Sequence, residues 1–443
     1  MDHISSLGGR RGSQWALLAV VLALALAARL LYLLEAATLP SFTVPYAGLD
    51  EERYRVLARA IAGGNWASDD LPYSYCAPYA YWLGGLYAVF GDSPWVAPAA
   101  NIVIGLGTVA LIHSLTLRLF GSRGAALFAA LGAALYGPYL VFDASGMKSS
   151  VGLFLAAAAL RLFLHALDRP RRRNWLIVGV VLGLAIWFSQ VLLLVLGLWL
   201  IWLLSGRAGA EAAGGLRQRA TAGLALLAGV ALLFSPFLLR NLVVSGEPIP
   251  STVVGGIHTY IGNHSGASGG YSKVPGVRNN PMGHVHDAKR VAERAAGRAL
   301  SWREASAFWR RQVLAFFAEH PDEAAALFAR KGLLALNAYE LPNNQTYAYL
   351  VQRSQLLRVA LDVGSLLPLG LAGLVLGLQG TGTRMPLYLL FFGLLLGLIL
   401  TLVTWRYRLP LTLALWPAAG YATANGAYWV KENRWLAVSG LVV

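Results

Sequence analysis

The fold is set by WALLAVVLALALAARLLYLL, residues 15–34, and by the stretch that follows it, Leu49-Asp50-Glu51-Glu52-Arg53-Tyr54. The first run is apolar over the roughly 20 residues that a helix needs to cross a bilayer. Acidic groups beside a bilayer are costly unless they are paired or take part in chemistry. Asp50 is therefore either a helix-capping residue or a carboxylate held near the lipid head groups, where it can act on a membrane-dissolved substrate.

The composition is that of an integral membrane protein. Hydrophobic residues make up 57% of the chain and charged residues 13%, which excludes an ordinary soluble domain. The net charge of +15 would suit nucleic acid, but the basic residues are spread over short loops, so membrane topology and anionic lipid account for them better. A single cysteine, Cys76, excludes an intrachain disulfide framework and has no adjacent histidine to activate it as a nucleophile.

The apolar runs predict an all-α, polytopic membrane protein of about ten transmembrane helices. The segment 175–204 is predicted to be two short helices broken at Ser189-Gln190, because this places the short basic loops on one side, which the positive-inside rule makes cytoplasmic. The predicted spans are 15–34, 95–119, 123–142, 150–167, 175–188, 190–204, 219–243, 356–379, 385–404 and 409–430.

The same topology puts two long segments outside, and we interpret residues 1–443 as one integral membrane domain that includes them. The segment 35–94 is rich in Tyr and Trp, which suits helices lying along the membrane surface. The segment 244–353 contains a flexible Gly/Ser/His stretch followed by an amphipathic helix. The cytoplasmic connections lack a phosphate-binding Gly-rich loop, so we expect chemistry on the external side of the membrane.

Two adjacent carboxylates, Asp50 and Glu51, are the candidate catalytic residues. Transfer of a sugar to an alcohol or amine needs a base that takes the proton of the acceptor. Neighbouring residues on a helix diverge by about 100°, so one is expected to be the base and the other a positioning or metal-contacting group. Asp143, at the outer end of the third span, is a further candidate ligand, although an ion pair with Lys148 would also explain it.

Four cations lie at the same outer boundary: Lys148, Arg240, Arg406 and Arg408. A phosphate at this depth would be held by the point charge of lysine or the bidentate hydrogen bonds of arginine. Each cation alone could instead extend to the head groups without binding anything. Their position on the same side as the acids favours an anionic ligand.

The sequence leaves open whether the protein binds a divalent metal. His284-Val285-His286 could ligate one together with a carboxylate, but this spacing is also common in loops that bind nothing.

The order of these features resembles a known class of membrane enzymes. The landmarks are a first span, Asp50-Glu51 with Tyr54, an aromatic segment, and a set of later motifs, namely Leu239-Arg240-Asn241, Tyr260-Ile261-Gly262-Asn263, Glu340-Leu341-Pro342-Asn343-Asn344 and Arg406-Tyr407-Arg408-Leu409-Pro410. They are similar to the GT-C class of polyprenyl-phosphate-sugar-dependent glycosyltransferases. Within it the chain looks like the bacterial family-39 and family-83 enzymes, related to protein O-mannosyltransferases and lipid A aminoarabinose transferases.

The resemblance implies an inverting glycosyltransferase with a polyprenyl-phosphate-linked sugar as donor, acting on the periplasmic side of a bacterial inner (plasma) membrane. It assigns Asp50 to the catalytic acidic position, Glu51 and Tyr54 to its surroundings, and Arg406 and Arg408 to the external basic motif. Where the aminoarabinose enzymes have Lys-Pro-Pro, this chain has Cys76-Ala77-Pro78, so that lysine is missing here. The acceptor, whether lipid, glycan or protein, stays open.

Two other classes of function compete with this interpretation. A transporter or flippase for an anionic lipid or lipid-linked sugar would need polar residues at mid-depth and paired broken helices. Gln190 and the break at Ser189 are the only hints of these. A non-catalytic assembly subunit is the third option, and the paired charges outside the membrane argue against it.

Overall fold

The computed structural model describes residues 2–67, 71–207 and 215–431, and Asp69, Asp70 and Arg434 lie outside these ranges. The described residues form helices and connecting loops, with no β-strand among them. The all-α class is therefore confirmed. The helices up to residue 204 are α1 Asp2–Ala37, α2 Pro40–Thr43, α3 Asp50–Ala62, α4 Ala77–Phe90, α5 Val96–Phe120, α6 Arg123–Ala134, α7 Gly137–Asp143, α8 Ser149–Asp168, α9 Arg172–Phe188 and α10 Leu192–Leu204.

The second half begins with a long helix and contains most of the short ones. Short 3₁₀ segments, Gly377–Gly380 and Leu409–Leu411, and a π-helical turn, Gly283–Asp287, adjoin its helices. These helices are α11 Leu216–Ser245, α12 Gly255–Ile261, α13 Ala288–Ala296, α14 Trp302–Glu319, α15 Pro321–Ala335, α16 Tyr347–Arg353, α17 Gln355–Val359, α18 Val363–Leu376, α19 Thr381–Leu400, α20 Trp405–Arg408 and α21 Thr412–Lys431.

Several helices have the length and composition of membrane spans, which agrees with a multi-pass protein. In the described part of the chain, five helices are long and apolar enough to cross a bilayer, and shorter apolar helices accompany them. The count of about ten spans stays a prediction. The five are Trp15–Ala37, Val96–Phe120, Ser149–Asp168, Leu216–Ser245 and Gly382–Leu400.

Two predicted spans, 123–142 and 356–379, are interrupted in the structure, the second because α17 ends at Val359 and α18 starts at Val363. The break at Ser189-Gln190 is present, since α9 ends at Phe188 and α10 starts at Leu192. The predicted helix 123–142 is instead α6 followed by α7. Tyr136, between them, has an extended backbone, and its neighbour Gly137 donates its N–H to the carbonyl of Leu361 at 2.7 Å. The prediction followed the apolar run and overlooked Gly137-Pro138, a helix-breaking pair that opens α7.

A buried ion pair joins α1 to α7. Arg29 Nε lies 2.8 Å from Asp143 Oδ2, and the side chains are 0% and 5% exposed. The guanidinium also donates to the carbonyls of Ala25 and Ala134. A Cβ atom at Gly105 would lie 2.0 Å from Asp143 Oδ2, so glycine makes room for the carboxylate. Asp143 therefore pairs with Arg29 and not with Lys148.

Removing one charge of this pair should destabilise the protein strongly. Asp143→Asn leaves the Arg29 guanidinium buried without a counter-charge, which typically costs about 3–5 kcal/mol. We expect a clear fall in the thermal unfolding midpoint in detergent. Asp168→Asn is the matched control, because its pair with Arg118 is partly exposed and such pairs contribute only about 0–1 kcal/mol. Equal midpoints for the two variants would contradict a structural role for the buried pair.

Candidate functional site

A cavity of about 460 Å³ lies between the start of α3 and the segment that follows α19. Its wall includes the start of α8, the junction of α9 and α10, α12, and the π-helical turn. Of the candidate residues from the sequence, it brings together Asp50, Tyr54, Lys148 and Arg406.

Asp50 and Arg406 form the charged centre of this cavity. Arg406 Nη1 lies 2.6 Å from Asp50 Oδ2, and the side chains are 9% and 21% exposed. Asp50 is the first residue of α3, where the unpaired N–H groups of the helix favour a negative charge. Burial raises the pKa of Asp50, but the Arg406 guanidinium and the amide of Asn344 outweigh it, so the pKa lies below its ordinary value. Asp50 is thus an ionised carboxylate at neutral pH.

Lys148 is the second cation of the cavity wall. It caps the N-terminus of α8, and its ammonium donates to the carbonyl of Phe188 at 2.8 Å. Among the described lining residues, Lys148 is a cation without a carboxylate partner within ion-pair distance. It can therefore accept an anionic group without giving up an existing ion pair.

Tyr54 fills the wall beside Asp50. Its ring makes edge contacts with Tyr75 and Tyr79, with centroids 5.8 and 4.8 Å away. The side chain is 2% exposed, so Tyr54 shapes the cavity more than it reaches into it.

Glu51 points away from the cavity. Its carboxylate accepts the backbone N–H of Gly146 at 2.9 Å, which ties α3 to the loop before α8. Burial raises the pKa of Glu51, although the Gly146 N–H and Arg55 oppose this shift. The structure therefore gives Asp50 and Glu51 different surroundings, as their neighbouring positions on a helix require.

Arg240 and Arg408 also lie outside the cavity lining. Arg408 is buried in an ion pair with Glu340, both nearly inaccessible to solvent. Arg240 donates to the carbonyls of Leu71 and Ala67, and its guanidinium lies over the ring of Tyr73, 4.3 Å from the centroid. Both arginines connect separate segments, so they support the walls around the site.

The cavity contains polar residues that the motifs did not single out as ligands. The sequence grouped His284 with His286, whereas in the structure His284 contacts His258, with Nδ1 and Nε2 3.2 Å apart. Tyr271 also reaches this pair, and Asn343 adds an amide to the wall. In the described ranges, no group of three His, Cys, Asp or Glu side chains is arranged to hold a metal ion.

A buried lysine fixes the segment that carries Arg406. Lys331 Nζ donates to Asn263 Oδ1 at 2.6 Å and to the carbonyl of Thr401 at 2.7 Å. Asn263 in turn donates to the carbonyl of Leu400. Gly262 allows this close approach, because a Cβ atom there would lie 2.1 Å from the Thr401 oxygen. Burial lowers the pKa of Lys331 to about 7.

The low pKa of Lys331 predicts a pH-dependent stability. The folded protein releases this proton near pH 7 and the unfolded chain near 10.5, so the unfolded chain binds more protons in between. Stability from this group therefore rises with pH over that window. Between pH 7 and 9, we expect the thermal unfolding midpoint of the wild type to rise relative to that of Lys331→Met. A difference that is constant with pH would rule out this coupling, and Lys289→Met, in a more exposed pair with Glu293, serves as control.

Part of the chain matches a known protein family. Residues 76–240 match the model of the family described as dolichyl-phosphate-mannose-protein mannosyltransferase. That segment contains Lys148 but neither Asp50 nor Arg406. None of the curated proteins matches the chain.

Several solved structures are similar to this chain. The oligosaccharyltransferase AglB of Archaeoglobus fulgidus, in complex with an inhibitory peptide and a dolichol-phosphate, is 15% identical, with a TM-score of 0.52 over 97% of this chain and 52% of that chain. An Archaeoglobus fulgidus oligosaccharyltransferase complex with Zn and sulfate is 16% identical, with a TM-score of 0.50 over 95% and 51%. ArnT of Cupriavidus metallidurans, bound to undecaprenyl phosphate, is 17% identical, with a TM-score of 0.40 over 95% and 79%.

The chain spans about half the length of the oligosaccharyltransferases it matches. What it shares with them is the arrangement of helices. The fold is therefore the all-α, GT-C-like fold that the sequence motifs predicted. Residues 76–240 in addition resemble the mannosyltransferase family.

Proposed function

We propose that the protein is a membrane glycosyltransferase that moves a sugar from a polyprenyl-phosphate donor to an acceptor hydroxyl or amine. The observation that carries this proposal is the cavity that holds ionised Asp50 against Arg406, with Lys148 in the same wall. The matched family is described by its dolichyl-phosphate-mannose donor, and AglB was solved with a dolichol-phosphate. A lipid-linked donor for this chain agrees with both.

In the proposed reaction, an acceptor oxygen or nitrogen attacks the anomeric carbon from the face opposite the phosphate, which inverts that centre. The bond from the anomeric carbon to the phosphate oxygen breaks, and the phosphate leaves with the electron pair. Asp50 takes the acceptor proton, and Arg406 keeps this carboxylate ionised and oriented. Lys148 stabilises the negative charge that grows on the departing phosphate.

The remaining features of the proposal rest on the predicted topology, on the family resemblance and on the contacts around the site. Residues 1–443 act as one unit in a bacterial plasma membrane, with the cavity on the external side. The acceptor is a lipid, a glycan or a protein. Glu51, Asp143, Arg240 and Arg408 hold the walls of the site and do not contact the donor. A divalent metal has no set of three ligands among the described residues, so no step is assigned to one.

Asp50→Asn should lower the transfer rate strongly. A positioned general base typically contributes about 10²–10⁴-fold, and the amide cannot accept the proton. We expect kcat to fall by about that factor, measured with purified donor and acceptor in detergent. Asp92→Asn is the matched control, because its carboxylate contacts Arg59 at the surface and does not line the cavity. Full activity of Asp50→Asn would mean that Asp50 is not the base and that its contact with Arg406 is only structural.

Lys148→Met should weaken the use of the donor. Methionine has a side chain of similar length, but it lacks the positive charge that we propose to bind the phosphate of the donor. We expect a higher KM for the lipid donor, a lower kcat, and an unchanged KM for the acceptor. Lys289→Met provides the comparison, since Lys289 pairs with Glu293 outside the cavity. Unaltered donor kinetics in Lys148→Met would remove Lys148 from the phosphate site.

A further inference from the structure

Three uncharged side chains form a hydrogen-bonded row on the cavity wall, and the proposed mechanism uses none of them. The Tyr271 hydroxyl lies 2.6 Å from His284 Nε2, and His284 Nδ1 lies 3.2 Å from His258 Nε2. His258 belongs to α12, His284 to the π-helical turn, and Tyr271 to the loop between them. All three line the cavity. Three separate segments therefore converge on one polar row.

The surroundings keep this row neutral. Desolvation at the cavity wall and the adjacent His284 lower the pKa of His258 below its ordinary value. Burial also lowers the pKa of His284 and raises that of Tyr271. At neutral pH none of the three carries a charge, so the row attracts neither an anion nor a cation.

Neutral imidazoles impose a direction on such a row. Each has one N–H donor and one acceptor nitrogen, and the phenol has one donor. If Tyr271 donates to His284, the row leaves the Nδ1–H of His258 as a donor and the Tyr271 oxygen as an acceptor. In the opposite direction, the Tyr271 hydroxyl donates and His258 Nδ1 accepts. In both cases one end donates and the other accepts.

This pattern fits hydroxyl groups, because each hydroxyl is both donor and acceptor. The wall also contains other uncharged groups that both donate and accept hydrogen bonds, namely the carboxamides of Asn280, Asn343 and Asn344. Asn343 Oδ1 is buried and has no hydrogen-bond partner among the described residues, so it is an acceptor that a ligand can satisfy. The charged groups Asp50, Lys148 and Arg406 are already assigned to proton transfer and phosphate.

We infer that the row of His258, His284 and Tyr271 binds the hydroxyl groups of an uncharged sugar, and so selects the sugar that the enzyme transfers or extends. This inference rests on the proposed function. A neutral sugar gains hydrogen bonds along the row. A sugar carboxylate would find no cation in the row itself, and the two nearby cations are already assigned, Arg406 to Asp50 and Lys148 to the phosphate, so it would lose water for a weaker gain.

The test compares two lipids that differ only in the sugar. Binding of polyprenyl phosphate and of its hexose-linked form is measured on the full-length protein in detergent, for the wild type, Tyr271→Phe and His284→Phe. Each variant should bind the hexose-linked lipid about 3- to 10-fold more weakly per lost hydrogen bond, and bind polyprenyl phosphate as the wild type does. Lys148→Met should weaken the binding of both lipids by the same factor.

His286→Phe is the matched control, because His286 lies two residues from His284 but does not line the cavity. It should bind both lipids like the wild type. Tyr271→Phe removes one oxygen atom, so it keeps the test decisive if His284→Phe does not fold. The wild type should also prefer a hexose-linked lipid to a hexuronate-linked one. A preference for the hexuronate would overturn the claim that the sugar is uncharged.

The possible outcomes separate the sources of the sugar. A loss of affinity for the hexose-linked lipid assigns the row to the donor sugar, and a higher KM for a sugar acceptor alone assigns it to the acceptor. Suppose that the wild type transfers sugar. The inference would then be overturned if the variants bind both lipids equally weakly, or if no dissociation constant and no KM changes. A wild type that neither transfers sugar nor distinguishes the two lipids would overturn the proposed function itself, and this inference with it.

Discussion

The ion pair between Asp50 and Arg406 is the contact on which the site depends. The two residues are 356 positions apart in sequence, and their contact joins the helix after the first span to the segment after α19. Burial makes each charge costly alone, so each stabilises the other in one position. The cavity is the space that these two segments enclose together with α12 and the start of α8. The pair therefore helps to orient the carboxylate and the guanidinium, which also donates to the Tyr407 hydroxyl at 3.2 Å.

The other buried charged residues also need partners, and they differ in the kind of partner that they have. Asp143 is held by Arg29 and Arg408 by Glu340, both in nearly inaccessible pairs. Such pairs fix helices against one another, and their charges are no longer available to a ligand. Lys148 contacts a carbonyl instead, and this neutral partner leaves its charge for an anion. Asp50 and Arg406 are also paired, but they line the cavity, so partner and position together distinguish residues that build the scaffold from residues that face the cavity.

The supports of the cavity extend beyond the residues that line it. Lys331 and Asn263 fasten the end of α19, and Glu51 fastens α3 to the loop before α8. A shift of about 1 Å in catalytic groups can reduce a rate about 100-fold, so these contacts matter for chemistry they do not touch. The shared helix arrangement with the oligosaccharyltransferases covers nearly all of this chain, which includes these supports.

The sequence by itself determined the membrane class, the all-α fold and most helix positions, because apolar run length and charge are properties of local sequence. It also singled out Asp50, which lines the cavity in the structure. It also predicted the break at Ser189-Gln190, from the distribution of basic loops. Only the tertiary structure decided which acid meets which cation. Asp143 pairs with Arg29 and not with Lys148, and His284 pairs with His258 and not with His286. The reason is physical: a pairing across many residues depends on how helices pack, and neither spacing nor composition encodes that distance.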